Sequence, residues 1–143
     1  MKSIAVFLSC GLILTAACSH TGTFAMRVPE LIGSEWVLED LGGDGVKDRV
    51  QSTLLFQNEG RIIGWGGCNR YFAGLRSDGS SIDIGPIGST RKICPSVVMD
   101  QEVHFFQALE KARHISMQGD LLIIECEGFE KPLRFIRLPS PQN

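Results

Sequence analysis

Between Glu35 and Leu138, apolar and polar residues alternate over short runs, and most runs are closed by glycine, asparagine or aspartate. Glu35–Leu41, Ser52–Gln57 and Arg61–Gly66 are rich in β-branched and aromatic residues, and Asn69–Leu75 follows directly after Gly67-Cys68. Ser81–Ile84 alternates strictly, while Leu121–Glu125 and Leu133–Leu138 are compact apolar runs. Runs of this length and composition predict β-strands. Gly42-Gly43-Asp44-Gly45, Asn58-Glu59-Gly60 and Ser77-Asp78-Gly79-Ser80 predict the turns between them.

One segment has a different period. Val98, Met99, Val103, Phe105, Phe106, Leu109 and Ala112 form a stripe that predicts a helix over 98–113, with Asp100, Glu102, Gln107, Glu110 and Lys111 largely on the other side. Pro95 stands at its approach, where a missing N–H matters little. Lys111, Arg113 and His114 gather at its far end, where cations favour the helix dipole. The expected fold is therefore mainly β (α+β), with about eight short strands and one helix. Strands this short hide their edges by curling, giving a small antiparallel sheet curled into a partly open barrel with the helix packed over the opening.

The N-terminus departs from this pattern. Lys2 precedes an apolar run through Leu14, then the small residues Thr15-Ala16-Ala17, then Cys18. That order is the charged, apolar and small-residue sequence of a secretion signal, and the run is too short for a stable membrane span. Small residues directly before a cysteine resemble the lipobox of bacterial lipoproteins, although Thr15 stands where a large aliphatic residue is usual. The resemblance implies removal of residues 1–17 and a lipid on Cys18; the alternative is cleavage near Ala16 or Ala17 and a soluble secreted or periplasmic protein. Ser19 after the cysteine resembles the pattern that sorts to the outer membrane facing the periplasm. Residues 18–30 then read as a lipidated tether, 31–138 as one domain and 139–143 as a tail.

Charge and cysteine usage narrow the chemistry. The formal net charge is −2, and no Lys/Arg run or Arg–aromatic interleaving occurs, which argues against nucleic acid as a partner. Beyond Cys10 in the signal and Cys18, the cysteines are Cys68, Cys94 and Cys126. Cys126 sits in a strand-like apolar run and reads as a small buried hydrophobe. Cys68 and Cys94 lie beside turn formers, and an exported chain meets an oxidising compartment, so these two are the candidate bridge. The alternative is two reduced thiols side by side. A bridge would contribute about 3–4 kcal/mol in the loop-entropy model. His20, His104 and His114 are scattered, no Cys-x-x-Cys occurs, and no nucleophile, base and orienter are visible together. No metal, no cofactor and no catalytic residue are expected.

The run Gly64-x-Gly66-Gly67-Cys68-Asn69-Arg70-Tyr71-x-x-Gly74 resembles the signature of META (HslJ-like) domains. Supporting residues follow in that family's order: Leu31-x-Gly33-Ser34 before Trp36, Phe56 before Gly60, Thr90-Arg91-Lys92-x-Cys94-Pro95, and Met99-x-x-Glu102 opening the helix. The resemblance covers roughly 31–138. It implies a small β-rich exported domain, often lipid-anchored and associated with envelope stress and antibiotic tolerance, with no catalytic residues to carry over. Physically, Gly66 and Gly67 permit a tight crossing, and Asn69 can bond nearby backbone. Arg70 and Arg91 are expected to pair with Glu102 and Asp100. Gly66, Gly67, Asn69, Arg70, Arg91 and Glu102 thus read as a fold-locking corner, or else as a binding edge for a peptide or glycan. The expected function is non-enzymatic: a lipid-anchored envelope protein that binds an unidentified envelope partner. The alternative is a carrier, which would require an apolar cavity lined by Phe56, Ile63, Phe72, Phe105 and Phe106.

Overall fold

The computed structural model of the chain describes residues 22–139 apart from residue 59. The segment read as a signal, Cys18 and residues 140–143 lie outside the described residues. Ten strands and one α-helix follow in the order β1 (Thr23–Ala25), β2 (Glu35–Leu41), β3 (Thr53–Gln57), β4 (Arg61–Trp65), β5 (Arg70–Asp78), β6 (Ser81–Ile84), β7 (Gly88–Ser89), α1 (Ser96–Glu110), β8 (Ala112–Gln118), β9 (Leu121–Cys126) and β10 (Leu133–Arg137). A 3₁₀ turn, Val28–Leu31, stands between β1 and β2.

Eight of the strands form a ring in the order β8-β6-β5-β4-β3-β2-β10-β9, and β9 pairs back to β8. All pairings are antiparallel, so the barrel is closed rather than partly open. Closure leaves no long edge for another chain to pair with. Its narrowest seam lies between β6 and β8, where Ser81 faces His114 and the Ile115 N–H donates to the Ser80 carbonyl at 2.9 Å. The two short strands extend this seam. β1 pairs with β8 at Ser116–Gln118, and β7 pairs with β5 at Tyr71 and Phe72, each beyond the reach of β6.

Alternation places one face of each strand inside. Tyr71, Ala73 and Leu75 of β5, Leu54 and Phe56 of β3, Ile62 of β4, Leu122 and Ile124 of β9 and Leu133 and Phe135 of β10 are all buried. Helix α1 adds Phe105, Ala108 and Leu109 to this core. The Phe105 ring lies 5.8 Å from Tyr71 on β5 and 6.2 Å from Phe135 on β10. Those strands stand on opposite sides of the ring, so the helix lies across one mouth of the barrel. Val28 and Leu31 of the 3₁₀ turn are buried beside the start of β2 and the end of β3, where the Gly33 N–H donates to the Phe56 carbonyl at 2.8 Å; they close the other mouth.

Three local expectations change. The helix ends at Glu110, and Ala112–Gln118 is a strand, so Arg113 and His114 belong to β8 rather than to a helix terminus. Only Lys111 separates the two elements, and Ala112 continues the apolar stripe of the helix, which masks the change of period. The stretch read as a tether through residue 30 contributes β1 and the 3₁₀ turn. The buried face of α1 also includes Gln101 and Glu102, the second of which the periodicity placed on the side away from the apolar stripe.

Candidate functional site

The signature residues converge where the β4–β5 corner meets α1. The Gly66 N–H donates to the Asn69 carbonyl at 2.8 Å, making the corner tight. Its turn directs two successive backbone N–H groups at one acceptor: Cys68 and Asn69 donate to Glu102 Oε2 at 2.8 and 2.6 Å. Asn69 Nδ2 donates to Glu102 Oε1 at 2.7 Å. Glu102 is only 4% exposed, so the corner is a small anion-binding cup occupied by the chain's own carboxylate. Asn69 then turns its other amide atom outward, where Oδ1 accepts from Thr90 Oγ1 at 2.8 Å and from the Lys92 N–H at 2.7 Å.

The glycines are required by this approach. A Cβ on Gly66 would lie 2.7 Å from Glu102 Oε2 and 2.6 Å from the Phe106 ring, and Gly67 adopts φ 127°, a conformation that side chains disfavour. Cys68 and Cys94 are bridged across the same junction, with Cα atoms 5.9 Å apart. Gln101 extends the network: its Oε1 accepts from the Lys47 N–H at 2.6 Å, and its Nε2 donates to Ser52 Oγ at 3.3 Å. Ser52 in turn donates to the Gly66 carbonyl at 2.8 Å. Gln101 and Ser52 were not singled out from sequence, and Thr90 entered only through the family resemblance; a glutamine next to the signature Glu102 was the available signal for Gln101.

The expected ion pairs do not form. Glu102 is held by N–H donors, and Arg70 and Arg91 are exposed. Ion pairs among the described residues join Arg27 to Glu30, Arg76 to Asp83 and Arg113 to Glu127. The guanidinium groups stay in water because backbone amides have already satisfied the carboxylate. Cys126 is free and buried, and burial pushes its thiol up to about 12. Burial likewise raises the Tyr71 hydroxyl, which donates to the Thr53 carbonyl at 2.8 Å.

The residues required for an interior apolar cavity do not converge. Phe56 and Phe105 are core, Phe106 is half-buried against it, and Ile63 and Phe72 face outward. Outside the barrel, register aligns Leu55, Ile63 and Phe72 in one row across β3, β4 and β5. This row floors a surface groove of about 510 Å³ that Glu35, Arg61, Trp65 and Arg70 also line. Lys92 stands over the Trp65 ring, 5.6 Å from its centroid. A second cleft of about 530 Å³ between the β2–β3 loop and α1 is lined by Asp44, Lys47, Asp100 and His104. No group of three or more potential metal ligands is assembled among the described residues. On the far wall, Glu125, His114 and Ser81 lie side by side by register, but all three are exposed and no hydrogen bond joins them.

No curated protein matches the chain. Among solved structures, an NMR structure of a protein from Burkholderia xenovorans aligns with a TM-score of 0.63 at 19% identity, covering 96% of this chain and 100% of that one. A second NMR structure aligns with a TM-score of 0.62 at 18% identity, covering 78% of this chain and 94% of the other. At these identities the likeness is one of fold. The META domain model matches residues 29–139, which takes in the barrel from the 3₁₀ turn onward, the signature corner and the helix. The chain belongs to the META domain family.

Proposed function

We propose that this chain is a non-enzymatic lipoprotein of the cell envelope. On this reading it is anchored through Cys18 at the outer membrane facing the periplasm, and it works by binding another envelope protein under stress or antibiotic challenge. The observation that carries the binding part is the exposed row of Leu55, Ile63 and Phe72. The signature corner is occupied by its own Glu102 and Phe56 and Phe105 are packed in the core, whereas Phe72 is 58% exposed on a regular strand. Apolar side chains that adjoin one another at a surface, unlike ones scattered singly, favour a site that another molecule covers. The anchoring part is supported by the order of residues before Cys18 and by the Cys68–Cys94 bridge, which suits an oxidising compartment.

The test is acylation and location together. Cells expressing the full chain are grown with radiolabelled palmitate, and the wild type should carry label and sediment with membranes. Cys18→Ser should lose both properties. A wild-type chain that stays unlabelled and soluble would sink the anchor. Photo-crosslinkers placed at residues 63 and 72 should then give a reproducible adduct in native envelopes, and absence of any adduct would sink the interaction role.

A further inference from the structure

The outer row has features that narrow what lies on it. Leu55 pairs with Ile63, Ile63 with Phe72, and Phe72 with Gly88, so the four positions share one face across β3, β4, β5 and β7. A Cβ on Gly88 would lie 2.5 Å from the tip of the Phe72 ring. The ring therefore lies down over Gly88 at the end of the row. Arg61 and Arg70 stand on the groove wall, and Lys92 caps Trp65 at one end. Glu35 is the acid that lines the groove, against these three cations. The chain as a whole carries −2, so this face runs against the sign of the molecule.

Pitch narrows the occupant further. Neighbouring strands stand about 4.8 Å apart, so apolar side chains meet the row at that interval. Alternate residues of an extended peptide are about 6.8 Å apart, too wide for the row. Residues i and i+3 or i+4 of an α-helix rise about 4.5–6 Å, which matches it. A floor of Leu55, Ile63 and Phe72 offers no side-chain donor or acceptor, which suits leucine-like side chains better than sugars.

Building on the proposal that the domain binds another envelope protein, we propose that the Leu55–Ile63–Phe72 row docks an acidic amphipathic helix of that partner. Its apolar stripe lies along the row, and its flanking carboxylates meet Arg61, Arg70 and Lys92. Desolvated apolar anchors supply the affinity, and the ring of cations supplies orientation and on-rate.

The experiment uses the full chain and a set of fluorescein-labelled, alanine-based peptides of about eighteen residues, long enough to be helical. One carries leucine at i, i+4 and i+7 flanked by glutamate, a second replaces glutamate with lysine, and a third is the acidic peptide with a central proline. The acidic helix should bind by anisotropy at least about tenfold more tightly than the other two, and salt at about 0.5 M should weaken it. Phe72→Ser and the double variant Arg61→Glu/Arg70→Glu should each weaken it at least about tenfold with an unchanged thermal midpoint, because these side chains face solvent. Equal binding of the lysine peptide overturns the acidic assignment, and equal binding of the proline peptide overturns the helix. Binding to phosphatidylglycerol vesicles that is lost in Phe72→Ser, or concentration-dependent self-association lost in the same variant, assigns the row to another occupant and also overturns the proposal. An adduct at residue 72 in envelopes without binding of the acidic helix leaves the interaction role standing while this partner chemistry fails. Peptide binding by a chain without palmitate leaves this partner chemistry standing while the anchor fails.

Discussion

Removing the carboxylate of Glu102 is the most informative perturbation of the domain. The group accepts three hydrogen bonds, from the Cys68 and Asn69 N–H groups and from Asn69 Nδ2, and it is almost fully buried. Glu102→Ala leaves those three donors without their acceptor. A buried unsatisfied donor costs about 1–3 kcal/mol, and water entering the gap recovers part of that, so the expected loss is about 3–5 kcal/mol. That is a large share of the roughly 5–15 kcal/mol available to a domain of this kind. Glu102→Gln separates the contributions. Its amide oxygen still serves the two backbone N–H groups, while its NH₂ faces Asn69 Nδ2, donor against donor. Asn69 cannot resolve this by flipping, because its Oδ1 already accepts from Thr90 and Lys92. The expected loss for Gln is about 2 kcal/mol, smaller than for Ala. Urea unfolding of the oxidised chain, followed by the fluorescence of the buried Trp36, measures both. A loss under about 1 kcal/mol for Ala, or a Gln variant as unstable as the Ala variant, would refute the cup as the element that holds the corner.

Four further outcomes are expected. Replacing both Cys68 and Cys94 with alanine opens a loop of 26 residues and should lower stability by about 3.5 kcal/mol in the loop-entropy model, measured by the same urea titration. Without reductant, a denatured chain should offer maleimide Cys126 but neither Cys68 nor Cys94, as peptide mapping would confirm. Gly66→Ala should destabilise by at least about 2 kcal/mol, since the new methyl meets both the Phe106 ring and the Glu102 carboxylate; a thermal midpoint within a few degrees of wild type would contradict that geometry. At alkaline pH, the unfolded chain releases the Cys126 proton from its ordinary value of 9.0, while the folded chain holds it to about 12. Stability should therefore fall as pH rises through that window, by up to about 1.4 kcal/mol per pH unit from this group, with Tyr71 adding to the fall above 10. Cys126→Ala should flatten the decline, and an unchanged slope would show that the thiol does not contribute.

The strand pattern was legible wherever alternation and punctuation agreed, as at β3 and β4 around Gly60 or β5 and β6 around Gly79. Legibility failed where an element announced itself through its partners rather than its own composition. Thr23–Ala25 has no periodicity of its own and becomes a strand because β8 offers it an open row of donors and acceptors. Gly88–Ser89 is only two residues, defined by pairing with β5. Glu102 was visible as a signature residue but assigned to the wrong partners. Arginine is the obvious complement to a carboxylate in a string of letters, whereas backbone amides aimed by a glycine corner have no letter at all. The bridge was legible because turn formers beside Cys68 and Cys94 left Cys126 as the apolar outlier. Ile63 and Phe72 were counted toward an interior because they are apolar, and only register shows that they face outward beside Ile62 and Tyr71, which face in.

The cup around Glu102 also bears on the covalent link. One of the two amides that bind the carboxylate belongs to Cys68, and the residues that Asn69 engages, Thr90 and Lys92, lie just before Cys94. These hydrogen bonds hold the segments that carry Cys68 and Cys94 side by side without drawing on the covalent link, while the third thiol lies buried in the core. Carboxylate and disulfide thus fasten the same two segments twice, once reversibly and once covalently.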